Sequence, residues 1–535
     1  MKKIMMMLIL AVLLYSVAIY QKESASANDL PYHDIDGSYA REAIIRLHEN
    51  SIMKGTSSSL FSPTRSITRA EFMTTLVRIF KLESVASSVP AYRDVAKSAW
   101  YYGTVQAATE IGLTEGVGNG LFKPATPLTR QEAAAWIVRA LKQTDTSTTA
   151  PTGFKDDDFI AAWARPYINT VSQLGLMEGN NGQFYPNQSI TRQETAVILD
   201  RILQNDRWGG AIEKAANPRE TIQLGWQYGQ STKAYQQSVV NSNVNVLAPR
   251  WFFLESTGRF SDHGVSSLAT WAKTNNKEIW ALVGNRFDQE TTHKLLSSST
   301  LSAAAIQDLK SFVQKYELDG INLDFENVQA SDRKLFTSFV ASLANELHTV
   351  SAILSVDLPP DLESDWSAAY DYELLGKSSD YIVIMAYDEH WSGYTAGPVA
   401  SFPWVQKHID KLLSRIPADK LILGMPLYNR DWTISSQGTT LSSEDVLLPE
   451  QYKRMNFYGA AAKWNTTLGQ YTMDYWTAGA LHRIWLEDSR SLAQKYKMAA
   501  SRNIAGYAYW HIGGESPEIW TSLQNTEKYG QYTFK

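Results

Sequence analysis

Apolar positions follow two different rhythms along the chain. Up to about residue 203 they recur with helical spacing behind a repeated polar motif, as in Glu132-Ala133-Ala134-Ala135-Trp136-Ile137-Val138. After a polar stretch from Gln204 to Glu220, short apolar runs alternate with helical patterns, starting near Ile222, Val244, Ile279, Gly320, Ile353, Tyr381, Leu421 and Ile504. Helical spacing gathers side chains on one stripe, whereas apolar runs separated by helices mark βα units on a parallel sheet. Eight such runs predict a (β/α)₈ barrel. A doubly wound sheet is the alternative, but no Gly-rich phosphate loop follows the first run. Ahead of both regions, Lys2 and Lys3 precede an apolar run from Ile4 to Tyr20 and a small-residue site at Ala25-Ser26-Ala27. This is the pattern of a cleaved export signal over residues 1–27, and it leaves no membrane span in the mature chain.

The first rhythm rests on an internal repeat. Ser66-Ile67-Thr68-Arg69-Ala70-Glu71 recurs as Leu128-Thr129-Arg130-Gln131-Glu132 and as Ile190-Thr191-Arg192-Gln193-Glu194, at intervals of 61 and 62 residues. Each copy follows a Gly-bearing loop that ends in aromatic-x-Pro, at Phe61-Ser62-Pro63, Phe122-Lys123-Pro124 and Phe184-Tyr185-Pro186. Neighbouring units of this size bury one another's apolar faces. The Thr suits a helix N-cap, and the Glu three residues on completes a capping box. Capping does not account for the Arg between them. At a helix start whose free N–H groups already favour anions, a repeated Arg suits a carboxylate or a phosphate. Lys142 to Gly153, rich in Thr and Ser, reads as a flexible connection between the second and third units.

Within the second region one run is unusual: Asp319-Gly320-Ile321-Asn322-Leu323-Asp324-Phe325-Glu326. Alternate side chains of a strand share a face, so Asn322, Asp324 and Glu326 point one way and Ile321, Leu323 and Phe325 the other. A polar row inside and an apolar row outside is what a catalytic barrel strand requires. Glu326, last in the row, falls at the C-terminal mouth where barrel active sites are built. Acids buried this close raise one another's pKa, which leaves Glu326 protonated and able to donate. Met385-Ala386-Tyr387-Asp388 ends another run and Trp510 ends the last. His390 has no second ligand at metal spacing, so neither a metal nor another cofactor is expected.

Composition narrows the partners. At 535 residues the chain exceeds one ordinary core, so at least two domains are expected. A net charge of −5 leaves no electrostatic footprint for nucleic acid. With no cysteine, neither a disulfide framework nor a lipidated cysteine can hold the protein outside the cell, and attachment there must be non-covalent. The 17 Trp serve either as core or as flat platforms for sugar rings.

The repeats, at about 31–85, 90–145 and 152–205, resemble surface-layer homology repeats. That resemblance implies anchoring to pyruvylated secondary cell wall polysaccharide. It implies ligand contacts from Arg69, Arg130 and Arg192, from Asp34, Asp94 and Asp156, and from Trp100 and Trp163. In the first repeat Tyr39 stands at the Trp position, and Ser51 stands where the others carry Gly112 and Gly175, which implies a weaker first site. The octet resembles the glycoside hydrolase family 18 signature Asp-x-x-Asp-x-Asp-x-Glu. By that resemblance Glu326 is the general acid and Asp324 orients the substrate's 2-acetamido group, whose carbonyl oxygen attacks the anomeric carbon in place of a protein nucleophile. Tyr387 would bond the same group, Asp388 and Asp319 would line the site, and Trp510 would floor the sugar. Asn322 departs from the family Asp, which puts the proton-sharing role of the second acid in doubt.

Asn322 together with Pro426-Leu427-Tyr428-Asn429-Arg430-Asp431-Trp432, Trp485-Leu486-Glu487-Asp488 and Gly513-Gly514-Glu515-Ser516-Pro517 is similar to spore cortex-fragment-lytic N-acetylglucosaminidases. This adds Tyr428 and Arg430 to the implied substrate contacts and favours peptidoglycan over chitin. Chitin-cleaving members often carry a longer insertion before the last helix, and Thr433 to Asn503 leaves room for a small one. The chain is thus expected to be an exported, wall-bound hydrolase of N-acetylglucosamine-containing glycan: an α-rich repeat domain, a linker at 204–220 and a barrel domain at 221–535. An anchored chitinase, a non-catalytic sugar-binding protein and a structural surface-layer protein are the alternatives.

Overall fold

A computed structural model of the chain describes residues 30–143, 150–214 and 221–534. The expected export signal, the middle of the Lys142–Gly153 connection and residues 215–220 of the expected linker lie outside them. Among the described residues no helix is long and apolar enough to cross a membrane.

The repeat region closes on itself. Thr68, Thr129 and Thr191 each cap a helix, Arg69–Ile79, Arg130–Ala140 and Arg192–Gln204, with Glu71, Glu132 and Glu194 completing the boxes as the motif predicts. The extended residues just ahead of these caps meet at the centre in a ring of backbone bonds. Ile67 N–H donates to Ile190 O (3.0 Å), Ile190 N–H to Leu128 O (2.9 Å) and Leu128 N–H to Ile67 O (3.0 Å). Each repeat thus supplies one donor and one acceptor, and the third returns to the first. The polar stretch read as linker is in part a helix, Asp206–Lys214, which buries Trp208 and Ile212 against the repeat core. Its Gly209-Gly210 pair lowers helix propensity and masks the i, i+4 apolar pair.

The second region contains β1 (Ile222–Trp226), β2 (Val246–Ala248) and its continuation β3 (Arg250–Leu254), a short β4 (Phe260–Asp262), β5 (Glu278–Gly284), β6 (Gly320–Asp324), β7 (Ile353–Leu358), β8 (Tyr381–Met385) and β9 (Leu421–Pro426). An inserted group follows: β10 (Tyr428–Ile434), β11 (Thr440–Leu447), β12 (Ala462–Asn465), β13 (Gln470–Thr477) and β14 (Ala480–Leu486). Last comes β15 (Gly506–Trp510). Parallel pairing runs β2-β1-β15-β9-β8-β7-β6-β5, and β5 pairs back with β2, so eight strands close a barrel. All eight expected starts fall within two residues of an observed strand.

The insertion differs from expectation. Instead of a small loop it forms an antiparallel sheet, ordered β11-β10-β14-β13-β12, with the helix Leu448–Phe457 packed on it. Its edge strand β11, Thr-Leu-Ser-Ser-Glu-Asp-Val-Leu, is mostly exposed and lacks the apolar alternation that would have announced it.

The two regions are docked. The C-terminal helix Glu518–Gln531 runs from the barrel onto the repeats, where the rings of Tyr529, Tyr532 and Phe534 each lie 5.8 Å from that of Phe80. Lys142 Nζ donates to the carbonyls of Tyr529, Gly530 and Tyr532, supplying a cation where the helix dipole is negative. Deeper in the interface Glu110, fully buried, accepts from Ser489 Oγ and Ser522 Oγ, both at 2.6 Å. Burial pushes its pKa up to about 8. The folded carboxyl therefore binds its proton more tightly than an unfolded one, and the native state loses stability as pH rises from the ordinary carboxylate range to about 8, with no further loss above it. Glu110→Gln keeps the shape and both serine contacts without the charge. In thermal unfolding across pH, the variant is expected to gain about 1–3 kcal/mol over the native protein at pH 9 and to match it near pH 4.

Candidate functional site

The outward side chains of β6, Ile321 and Leu323, join Phe325 in the buried layer between barrel and helices, where Phe325 stacks 6.2 Å from Phe336 and 6.1 Å from Phe339. The inward ones, Asn322 and Asp324, lead to Glu326 just past the strand end. Two neighbours lock the backbone there. Asn285, buried at the end of β5, accepts from Glu326 N–H (3.1 Å) and donates to Glu326 O (2.7 Å), and Tyr370 OH donates to Phe325 O (2.9 Å). Neither residue was anticipated from the sequence, because their bonds go to backbone atoms 41 and 45 residues away.

Electrostatics at this mouth are dominated by burial. Glu326 is held well above the usual carboxylate range by burial, then by the charges of Asp324 and Asp388, with Arg250 acting the other way. Burial raises Asp324 to about 6 against the pull of Arg250. Asn322 is fully buried and fully bonded: its Oδ1 accepts from Trp226 Nε1 (2.8 Å), and its Nδ2 donates to Ser355 Oγ (3.0 Å) and Asp357 Oδ1 (2.6 Å). Ser355 and Asp357 repeat on β7 the polar alternation of β6, a signal that was present in the sequence without a motif around it.

Other anticipated residues converge on the same end. Tyr387, after β8, lies edge-on to Tyr428 with ring centroids 6.4 Å apart. Asp388, in left-handed backbone at φ 59°, accepts from Tyr428 OH (2.5 Å), and Arg430 Nη2 lies 3.5 Å from the same carboxylate oxygen while Nη1 pairs with Asp445 at 2.7 Å. Tyr428 and Arg430 open the inserted sheet and so tie it to the mouth. Trp510, ending β15, packs 5.8 Å from Trp226 and 5.4 Å from Tyr228. Asp319 does not join them. It precedes β6, and its carboxylate accepts from Ile279 N–H (2.8 Å), pinning the opposite end of the barrel about 17 Å of strand away from Asp324.

In the repeats the expected ligand residues are sorted by burial. Arg69, Arg130 and Arg192 are only 3%, 8% and 4% exposed and tie each unit to the next. Arg69 Nη1 pairs with Glu132 (2.6 Å), Arg130 Nη1 with Glu194 (3.0 Å), and Arg192 Nη1 lies 4.0 Å from Glu71, so the set closes in a ring. Each Nε also donates to the carbonyl of the next aromatic-x-Pro turn, at Phe122, Phe184 and Phe61. The anion that these arginines suit is thus the Glu of the neighbouring capping box. Asp34, Asp94 and Asp156 have both carboxylate oxygens taken by consecutive backbone N–H groups of the same turns, at 2.7–2.9 Å, which makes them loop fasteners. Trp100, Trp163 and Tyr39 are 65%, 51% and 69% exposed. Ser51 holds φ 58° where Gly112 and Gly175 take 86° and 66°, a left-handed conformation less costly for glycine. Between the first and third repeats lies a groove of 530 Å³ lined by Asp34, Ser38, Arg65 and Gln193 among others.

Comparison with known proteins places these features. The model of the S-layer homology domain matches residues 31–73, 91–134 and 153–196, and that of glycosyl hydrolases family 18 matches residues 228–515. An uncharacterized glycosylase, YvbX, of Bacillus subtilis (strain 168) is 26% identical over 316 residues, 57% of this chain and 91% of that protein. A cortical fragment-lytic enzyme of Bacillus cereus is 25% identical over 264 residues, 48% of this chain and 61% of that protein. Among solved structures, a chitinase from Chromobacterium violaceum shares the fold with a TM-score of 0.53 and 24% identity, over 57% of this chain and 99% of its own.

Asn285→Ala removes both side-chain bonds that hold Glu326. Glycosidase activity is expected to fall about 10- to 100-fold in kcat with KM little changed, together with about 1–3 kcal/mol of stability. Steady-state kinetics and thermal unfolding of the same preparation check the pair of effects.

Proposed function

The chain belongs to glycosyl hydrolases family 18, and from that premise we propose that it cleaves β-glycosidic bonds next to N-acetylglucosamine in peptidoglycan or its fragments, while its three repeats hold it at the cell surface. The observation that carries this reading is Glu326, locked by Asn285 at the barrel mouth beside Asp324 and kept protonated by burial. A protonated Glu326 donates to the leaving glycosidic oxygen. Asp324 orients the substrate's 2-acetamido group, and Tyr387 bonds it. The acetamido carbonyl oxygen attacks the anomeric carbon and closes a cyclic intermediate with its positive charge beside Asp324. Glu326, now a carboxylate, takes a proton from the water that opens the ring, so configuration is retained. Trp510 serves as the floor for the sugar.

Peptidoglycan is favoured over chitin by the relative named a cortical fragment-lytic enzyme. The insertion, a five-stranded sheet rather than the small segment expected, counts on the side of chitin, so the reading rests on that relative and on the cortex-lytic resemblance of the motifs. At the surface we assign the wall polymer, a pyruvylated secondary polysaccharide, to the exposed rings of Trp100, Trp163 and Tyr39 and to the groove between the first and third repeats. The arginines and aspartates hold the repeats in shape behind these platforms. Export through residues 1–27 completes the proposal.

Mass spectrometry of products from peptidoglycan, its muramic-lactam cortex form and chitin oligomers tests the catalytic part. Fragments ending in reducing N-acetylglucosamine are expected from wall glycan with the native chain and not with Glu326→Gln. Product from chitin alone would make the protein an anchored chitinase, and no Glu326-dependent product would leave a sugar-binding protein. For the anchor, replacing Trp100 and Trp163 by Ala is expected to weaken co-sedimentation with purified walls at least about tenfold without changing hydrolysis of a soluble substrate.

A further inference from the structure

The β6–β7 register sets Asn322 beside Ser355 and Leu323 beside Val356. The next step along both strands brings Asp324 beside Asp357. Register neighbours on parallel strands lie about 4.8 Å apart with their side chains on the same face, so two carboxyls enter the barrel together. Asp357 is buried, and among the described residues it has no ion-pair partner; the Asn322 amide donates to it at 2.6 Å, and the Trp226 indole also favours its charged form. Asp324 Oδ1 is buried with no hydrogen-bond partner. Two anions in that position repel across a layer with no ion pair of their own, whereas one proton between them supplies both a bond and a neutral partner.

We propose that Asp357 is a positioning residue of the glycosidase reaction, carrying a proton shared with Asp324 and so supplying from β7 the second carboxyl that Asn322 does not provide on β6. This rests on the role given to Asp324 in the proposed mechanism. When Asp324 turns to the N–H of the acetamido group, the proton stays on Asp357 and Asp324 leaves as a carboxylate, able to face the positive charge of the cyclic intermediate. Asp357 touches no substrate. The groups that face the pair are consistent with one proton held there. Glu326 adds a like charge from the end of β6, Arg250 acts on Asp324 from β3, Tyr387 closes the β8 side, and burial with the Asp324 charge holds Asp357 well above the carboxylate range. Asn322 fits this arrangement as an amide, since an aspartate there would remove the donor to Asp357 and add another acid. Relative to the Asp-x-x-Asp-x-Asp-x-Glu pattern, β6 carries an amide at the second Asp position, and the neighbouring strand β7 brings an acid beside it.

The test compares the full-length native chain with Asp357→Asn, Asn322→Asp, the double exchange and Glu326→Gln. The substrate is a fluorogenic umbelliferyl glycoside of N-acetylglucosamine oligomers, assayed across pH, with a thermal melt of each variant. Asp357→Asn is expected to lower kcat about 10- to 100-fold with KM within about twofold, and to change the shape of the kcat/KM profile because the pair's second deprotonation is gone. The double exchange returns an acid to β6 and is expected to recover at least about tenfold of that loss; it should also exceed Asn322→Asp alone, a comparison that serves should Asp357→Asn fail to fold. Native kcat and an unchanged pH profile in Asp357→Asn, or a double exchange no better than either single variant while melting like the native chain, would overturn the inference. A native chain without product, or an equally active Glu326→Gln, would instead overturn the mechanism beneath it, and the inference with it.

Discussion

A carboxyl taken out of water without a cation resists ionisation, and several placed together resist it more strongly. Asp324, Glu326 and Asp357 are placed in that way, with Arg250 acting against the first two and the Asn322 and Trp226 hydrogen bonds against the third. Much of the mouth answers to this constraint. Asn322, at the centre of the layer, is an amide whose donors and acceptor are all used, so it adds no charge. Asn285 and Tyr370 hold the strand end through its backbone and leave the carboxyl of Glu326 uncommitted. Asp388 lies at the exposed rim, where Tyr428 and Arg430 attend it.

Buried charge is handled in the opposite way among the repeats. There every deep guanidinium finds a carboxylate or a carbonyl on the adjacent unit, and the third unit returns to the first. The cost of burying an Arg is met only by full pairing, so the arginines bind the ring together. What the ring leaves outside is a set of exposed aromatic rings, Tyr39, Trp100 and Trp163, in equivalent places.

The barrel strands were legible because parallel strands buried on both faces are short apolar runs. The helix starts of the repeats were legible because a capping box is local in sequence. What could not be read depends on partners far along the chain. The carboxylate on Arg69 is 63 residues away, and the backbone bonds of Asp34 are 27 and 28 residues away, so residue types that suit an external anion proved to serve internal ones. Asp319 belongs to the octet by spacing, yet five residues of extended strand carry Asp324 to the other end of the barrel. Asp357 obeys the same strand alternation as Asp324, but no motif frames it in the sequence.

Docking of the repeats onto the barrel changes what an anchor does. A barrel on a flexible tether samples all glycan within the tether's reach. Here Phe80 is packed by three aromatic rings from the barrel's C-terminal segment, Lys142 closes the end of that helix, and Glu110 is bonded to serines of two barrel helices. Val89 of the repeat region even joins the core of the inserted sheet that carries Tyr428 and Arg430 to the mouth. The orientation of the mouth relative to the exposed rings of Tyr39, Trp100 and Trp163 is therefore set by packing. With the repeats holding the cell surface as proposed, this packing fixes the direction in which the mouth faces as well as its place.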